Sequence, residues 1–367
     1  MAACEVLHVA WSGDIGGTER HIASLVRAAP THSRHSQHAC FLDGRGSVAA
    51  ALAAEGYATA LDVRNGWDVR GFVSFAQLLR RLRPSVIHFH TRNLAAHAIA
   101  RLALGSARRV YTEHAPGALV GDRRFRLFYM LFRRTTDAFI AIAPAMAECI
   151  AGYGVPRAKI TEVPHAVSIP LRDLCEPRPP TGWHIGVVGR LEREKRVDLF
   201  LRILVALRGR GHDATAVIVG AGSERERLEH LADELGVSQA VDFAGVQTDV
   251  APWLDGLDAF VMTSETETLG LSALEAMARG VPVVALPCPG GLTAIVQEGG
   301  WLAPSRDVGA AATSVEEVLG SDDVRKRCRE AGFALVSRRT VPEAAAQLDD
   351  VYAAVLSRAP RLNRSVG

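Results

Sequence analysis

The segment SETETLGLSALEAMARG, residues 264–280, places two carboxylates, Glu267 and Glu275, on either side of a glycine-containing turn with seven residues between them. Ser272 followed three residues later by Glu275 has the pattern of a capping box, in which side chains satisfy the loose amides of a helix start. That role occupies Glu275 and leaves Glu267 for other work. Upstream, VVGRLEREKRVD (187–198) sets Arg190 and Lys195 between a strand and a helix. Lysine is scarce in this chain, three against 39 arginines. A compact ammonium suits a phosphate as a point charge, whereas a guanidinium grips two oxygens. The alternative for both is an exposed, charged helix start.

Other turns offer less specific signals. In SGDIGGTER (12–20), Gly16 and Gly17 lie between an apolar strand and a helix expected to begin near Thr18. A backbone there can approach a phosphate closely, and a plain tight turn explains the glycines equally well. VIVGAGSER (217–225) has Gly220 and Gly222 after a strand, but Arg225 stands at the third glycine position and no acidic residue closes the next strand. NAD binding is therefore the second reading of that turn. His88, His90 and His114 end two strands, at the edge where α/β sheets hold ligands. Their spacing gives no metal set, so no metal is expected. GDRRFRLFYMLFRR (121–134) is an apolar run between arginines. It is expected either to lie on an anionic membrane surface, aromatic side down, or to pack into its domain with the charges solvated.

The elements that must carry these residues follow a βαβ rhythm. EVLHVAW, QHACFLD, SVIHFH, RRVYTEH and DAFIAI read as strands separated by helical periods, and HIGVVG, TAVIVG, AVDFAG, DAFVM and VPVVAL repeat the pattern. Between them PHAVSIPLRDLCEPRPPTGW (164–183) holds five prolines. The chain thus predicts two doubly wound domains, 1–165 and 183–341, with a linker at 166–182 and a last helix at about 342–358 packing back on the first domain. Ligands of such sheets bind at the carboxyl ends of the strands, so a central cleft between two of them is the expected site.

At 367 residues, nearly half of them apolar, the chain is long enough for two cores. Six scattered cysteines match neither a zinc site nor a disulfide framework, and a reducing, cytoplasmic setting is expected. The first residues lack the basic start of a signal peptide, and no apolar run is long enough to span a membrane. The net charge of +2 conceals 20 Arg/Lys against 12 Asp/Glu over residues 1–165 and 22 against 28 over 166–367. The basic half suits an anionic partner, a membrane surface or phosphorylated substrate; ordinary surface variability is the alternative. No nucleic-acid partner is expected, and nothing specifies an oligomer.

Together GGTER, VGRLEREKRVD, VGAGSERERLEHLADELGV, VDFAGV and ETLGLSALEAMARGVPVVA resemble, in order and over most of the chain, the retaining glycosyltransferases of the family 4 type. The resemblance implies the GT-B fold, two Rossmann-like domains facing a cleft, and transfer of a sugar from a nucleotide-diphosphate donor with retained configuration. A UDP-sugar is the expected donor, with a GDP-sugar as the alternative, and a glycan or lipid-linked acceptor in bacterial surface polysaccharide or glycolipid synthesis. It assigns the donor's diphosphate to Arg190 and Lys195 and to the amides around Leu269, Gly270 and Leu271. Glu267 would face the sugar ring, Glu275 the ribose, and the backbone near Val246 the base. His114 would stand near the reacting centre, and Gly16 and Gly17 would let the first domain approach the diphosphate. No cofactor is implied: Glu265 and Glu267 only imitate a metal-binding DxD pair, and the two cations would replace the metal. A same-fold sugar-nucleotide epimerase, an NAD-dependent oxidoreductase and a non-catalytic two-lobed sugar binder are the competing readings.

Overall fold

The computed structural model describes residues 4–14, 16–114, 123–167, 169–172 and 182–358. Its contacts divide the chain into two units, residues 1–168 with 340–367 and residues 169–339.

Unit 1 runs β1 (Val6–Ser12), α1 (Gly17–His32), β2 (Gln37–Asp43), α2 (Ser47–Ala54), β3 (Ala58–Ala60), α3 (Val69–Leu82), β4 (Val86–Phe89), α4 (Leu94–Ala103), β5 (Arg108–Glu113), α5 (Arg123–Phe132), β6 (Ala138–Ala141), α6 (Pro144–Gly152) and β7 (Ile160–Glu162). Its seven strands are parallel, in the order β3-β2-β1-β4-β5-β6-β7. Helices cover both faces, which is why the central strands read as near-continuous apolar runs. Alternate side chains divide between the faces. Leu7, Val9, Ile87, Phe89 and Tyr111 meet α3 to α6, whereas Val6, Val86 and Val110 meet α1 and a helix from the end of the chain.

Unit 2 runs β8 (Trp183–Val188), α7 (Val197–Gly209), β9 (Ala214–Val219), α8 (Arg225–Glu234), β10 (Val241–Gly245), α9 (Ala251–Asp255), β11 (Ala259–Met262), α10 (Leu271–Ala278), β12 (Val283–Ala285), α11 (Leu292–Gly299), β13 (Trp301–Leu302), α12 (Val308–Leu319) and α13 (Asp322–Val336). Its parallel sheet has the order β10-β9-β8-β11-β12-β13. The chain then returns to unit 1 as α14 (Val341–Leu356), which starts with a capping box between Thr340 and Glu343. Its Leu348, Val351, Tyr352 and Val355 complete the unit 1 core.

Three details differ from the sequence expectations. The described start of the stretch expected to be a linker from residue 166 makes packed contacts: Ala166 lies in the unit 1 core, while Arg172 N–H donates to Ala278 O at 2.9 Å and Pro170 O accepts from Arg279 at 2.9 Å. Residues 173–181, with three of the five prolines, lie outside the described residues. Strands β3, β7 and β13 escape the pattern because two or three residues at a sheet edge carry too little periodicity. On α5 the aromatic side is not the outward one. Phe125, Phe128 and Tyr129 are buried, and the exposed apolar residues are Leu127, Met130 and Leu131.

Candidate active site

In unit 2 the loops after β8 and β11 meet. Lys195 ends a short 3-10 turn after β8, and its ammonium pairs with the Glu267 carboxylate. The pair is fixed from several sides. Thr263 Oγ1 donates to Lys195 O at 3.0 Å, Glu265 N–H to Glu194 O at 2.7 Å, and Glu267 N–H to Pro289 O at 3.1 Å. Arg306 donates to three carbonyl oxygens, those of Thr263 and Ser264 at 2.8 Å and of Pro287 at 3.1 Å, and so clamps the Glu267 loop to the chain after β12. Arg196, next to Lys195, holds a left-handed backbone at φ 50° and grips Asp198 with two hydrogen bonds. A non-glycine residue there is strained, and such strain concentrates at functional turns.

Beyond Glu267, Leu269 is buried and Gly270 turns the chain at φ 81° into α10. The first amides of a helix have no intrahelical partner, so the α10 start carries partial positive charge beside the pair. Gly270 is the N-cap and no side chain caps this helix, so the capping box expected of Ser272 and Glu275 is absent. Ser272 lies two residues past the N-cap position, inside the helix, and its hydroxyl meets Met262 Sδ at 3.6 Å. Glu275, 8% exposed, is therefore a buried carboxylate without that structural role. Arg190 is exposed and pairs with Glu194 at 3.2 Å, and Val246 is exposed just after β10; no described contact brings either to Lys195. Glu265 and Glu267 do not converge on a metal position, since Glu265 is exposed toward Arg196 while Glu267 is taken by Lys195.

The Gly220 turn has a structural explanation. A Cβ on Gly220, at φ 137°, would lie 1.9 Å from Gly189 O, and one on Gly222 would lie 2.3 Å from Leu191 O. The glycines make room for the neighbouring backbone.

In unit 1, strand register gathers histidines. His8 pairs with His88 across β1 and β4, and His90 N–H donates to Val9 O at 2.8 Å. His8, His90, His114 and His165 form a hydrogen-bonded row: His8 Nδ1 to His90 Nε2 at 2.9 Å, His90 Nδ1 to His114 Nε2 at 2.8 Å, and His114 Nδ1 to His165 Nε2 at 3.0 Å. His88 stands beside the row, bonded to Tyr352 OH and Thr112 Oγ1, both at 2.7 Å. Burial disfavours the charged rings, lowering His8 to about 4 and His114 to about 3, and holding His88, His90 and His165 well below the usual value. His8, His88 and His90 have nitrogens close enough to share a cation. Each of those nitrogens already has a protein partner, so the trio does not offer a metal its lone pairs. His114 also lines a cavity of about 800 Å³ with Trp11, Asn93, Arg92, Glu113 and Arg124. Gly16, in extended backbone, is the N-cap of α1, and Gly17 is its first residue. A Cβ on Gly16 would meet Glu19 Oε2 at 2.3 Å, so this carboxylate lies against the turn.

Residues 15–169 match the model of Glycosyltransferase Family 4, and residues 176–334 that of Glycosyl transferases group 1. The glycogen synthase of Mycobacterium tuberculosis is 32% identical over 291 residues, 73% of this chain and 69% of that protein. The chain belongs to the group 1, family 4 type of glycosyltransferases. Another glycosyltransferase, the lipopolysaccharide core biosynthesis protein LpsE of Rhizobium meliloti, is 29% identical over 247 residues, 66% of this chain and 69% of that one. The Anabaena protein Alr3699/HepE, solved with UDP and glucose, has the same GT-B fold, with a TM-score of 0.81 at 19% identity over 95% of this chain and 99% of that one.

For a glycosyltransferase of this type, reading the sequence found the ion pair's members but not what holds them. Arg306 is the main omission. Its only signal is an arginine shortly after the weak strand β13, and its three acceptors are backbone oxygens far away in the chain. His165, at the start of the proline-rich stretch, also escaped notice.

Proposed function

We propose that this glycosyltransferase moves a sugar, with retained anomeric configuration and without a metal, from a UDP-sugar to a saccharide or lipid-linked acceptor in bacterial surface glycan or glycolipid synthesis. The observation that carries the reading is the Lys195–Glu267 pair on two clamped turns beside the α10 start. Cleaving a sugar to diphosphate bond builds negative charge on the leaving group, and preorganised cations and helix amides aimed there lower the barrier. In this reading Arg190, Lys195 and the amides of Leu269 to Leu271 take the diphosphate. Glu267 orients the sugar ring, Glu275 binds the ribose, and the backbone near Val246 meets the base. In unit 1, Gly16 and Gly17 approach the diphosphate and His114 meets the donor sugar. The relatives' names, lipopolysaccharide core synthesis and glycogen synthesis, and the UDP in the Anabaena structure support the donor and acceptor classes. The test is a panel of UDP- and GDP-sugars incubated with saccharide acceptors, followed by NMR of the new linkage. Acceptor-dependent release of UDP with the donor's anomeric configuration kept is expected; an inverted linkage, or no release from any donor, would refute the reading.

The protein works at a cytoplasmic membrane face in this reading. No helix among the described residues is long and apolar enough to cross a membrane. However, α3, α4 and α5 carry seven arginines and no acidic residue. The same layer exposes Val69, Leu102, Leu127 and Met130, with Trp67 just before α3 at 92% exposure. An arginine-rich layer that also exposes large apolar side chains suits anionic lipid, stems in the interface and charges on phosphates. Sedimentation with phosphatidylglycerol vesicles in low salt is expected, reduced several-fold by Trp67→Ser with Met130→Ser. Equal sedimentation of wild type and variant, or none, would count against this surface.

A further inference from the structure

The row of histidines has a direction, and that direction is set from the far end of the chain. Asp349, on α14, is 2% exposed; its Oδ1 accepts from Ser33 Oγ and its Oδ2 from Arg34 N–H, both at 2.6 Å. Ser33 Oγ has one proton, and a carboxylate at 2.6 Å outcompetes the His35 carbonyl at 3.1 Å. The Ser33 oxygen can then only accept, from His35 N–H at 3.1 Å and from Gln37 Nε2 at 2.9 Å. Gln37 must turn its amide nitrogen to Ser33, which leaves its Oε1 for His8 Nε2 at 2.9 Å. His8 therefore carries its proton on Nε2 and accepts on Nδ1. A neutral imidazole has one N–H and one lone pair, so the choice propagates. His90, His114 and His165 each donate from Nε2 to the Nδ1 of the ring before, and the row ends at His165 Nδ1, which has no hydrogen-bond partner among the described residues.

We propose that Asp349, Ser33 and Gln37 are positioning residues that lock His114 as the Nε2–H tautomer, so that its Nδ1 acts as a hydrogen-bond acceptor for a hydroxyl of the donor sugar. This rests on the reading above in which His114 meets that sugar. A hydroxyl reaching the ring takes the place of His165 Nε2–H and donates to Nδ1. His114 gives up no proton, because its single N–H is held by His90. Its role is to select and orient a hydroxyl-bearing sugar rather than to act as an acid.

The test reads tautomers and rates separately. In the full chain labelled with 15N-histidine, two-bond 15N–1H spectra are expected to show His8, His90, His114 and His165 as Nε2–H. In Asp349→Asn the backbone N–H of Arg34 still requires an oxygen, so the new amide nitrogen faces Ser33. Ser33 then donates to Gln37, the Gln37 amide turns over, and the row reverses to Nδ1–H. The turnover of the sugar donor should fall about tenfold, the equivalent of one hydrogen bond, with UDP affinity unchanged. Ser33→Ala should leave both tautomers populated and Ser33→Thr should restore one, which separates the effect from damage to the fold. An Nδ1–H tautomer of His114 in the wild type, or no change in Asp349→Asn, would overturn the proposal. A reversed row with an unchanged rate would overturn the positioning role. A wild type with the expected tautomers that transfers no sugar would support the row's direction and overturn the functional reading instead.

Discussion

Replacing Lys195 by alanine is expected to lower the transfer rate by about 10² to 10³-fold, the usual effect of removing one preorganised group aimed at developing charge. Lys195 is only 22% exposed and its partner Glu267 only 15%, so water replaces the ammonium poorly. Among the described residues the substitution also leaves the Glu267 carboxylate with one weak hydrogen-bond partner, Ser264 Oγ at 3.4 Å, and its uncompensated charge repels a diphosphate. Two contributions therefore act together, and Glu267→Gln separates them. That change keeps the lysine and removes the carboxylate charge, so UDP should bind as well as before or more tightly while turnover of the sugar donor falls. UDP affinity by calorimetry and turnover by acceptor-dependent UDP release are the measurements. Unaltered UDP affinity in Lys195→Ala would remove this lysine from the diphosphate site. Lys195→Arg is not expected to rescue, because a planar fork does not reproduce a point charge on a short turn.

The second large effect is acid lability confined to unit 1. His8 and His97 titrate at about 4 and His114 at about 3, each lowered chiefly by burial. A folded pKa below the unfolded value of about 6.5 means that the unfolded chain binds protons first. The stability these neutral rings preserve is complete above pH 6.5 and is lost as pH falls through 6.5 toward 4. At pH 5 a ring lowered to about 4 has lost about 2 kcal/mol, since one pKa unit is about 1.4 kcal/mol. Two such rings reach the order of a small domain's whole stability. Unit 2 has no fully buried histidine among its described residues, so hydrogen exchange at pH 5 should open β1, β4 and β5 while β8 and β11 stay protected. His97 lies outside the histidine row, stacked on Phe89 at 3.8 Å between centroids, with Nε2 bonded to Thr91 O. His97→Phe should therefore narrow the stability gap between pH 7.5 and pH 5 by about 2 kcal/mol. Equal acid opening of both units, or no change in His97→Phe, would refute this.

What the sequence made legible was periodicity and turn chemistry. Runs such as QHACFLD and TAVIVG announce strands because they are long enough to alternate and are buried on both faces. Lys195 and Glu267 stood out by type and by position beside strand ends. The capping box misled because Ser272 and Glu275 have its spacing, while the helix start is decided by Gly270, whose left-handed backbone no spacing rule registers. Histidines 8, 90, 114 and 165 lie far apart in sequence, and only the strand order β1-β4-β5 makes neighbours of the first three. Arg306 was illegible for a related reason: backbone oxygens carry no side-chain signature.

The return of α14 has a consequence for how the protein is made. Unit 2 is one unbroken stretch, but unit 1 is finished only by residues after 339. A ribosome releases the seven strands of unit 1 first, with Val6, Val86, Val110 and Ile140 still lacking Leu348, Val351 and Tyr352 against them. That greasy face stays open through the synthesis of all of unit 2, which reaches its complete set of elements earlier. The nascent chain therefore passes through a long interval in which its first half needs shelter, and the emergence of α14 ends it.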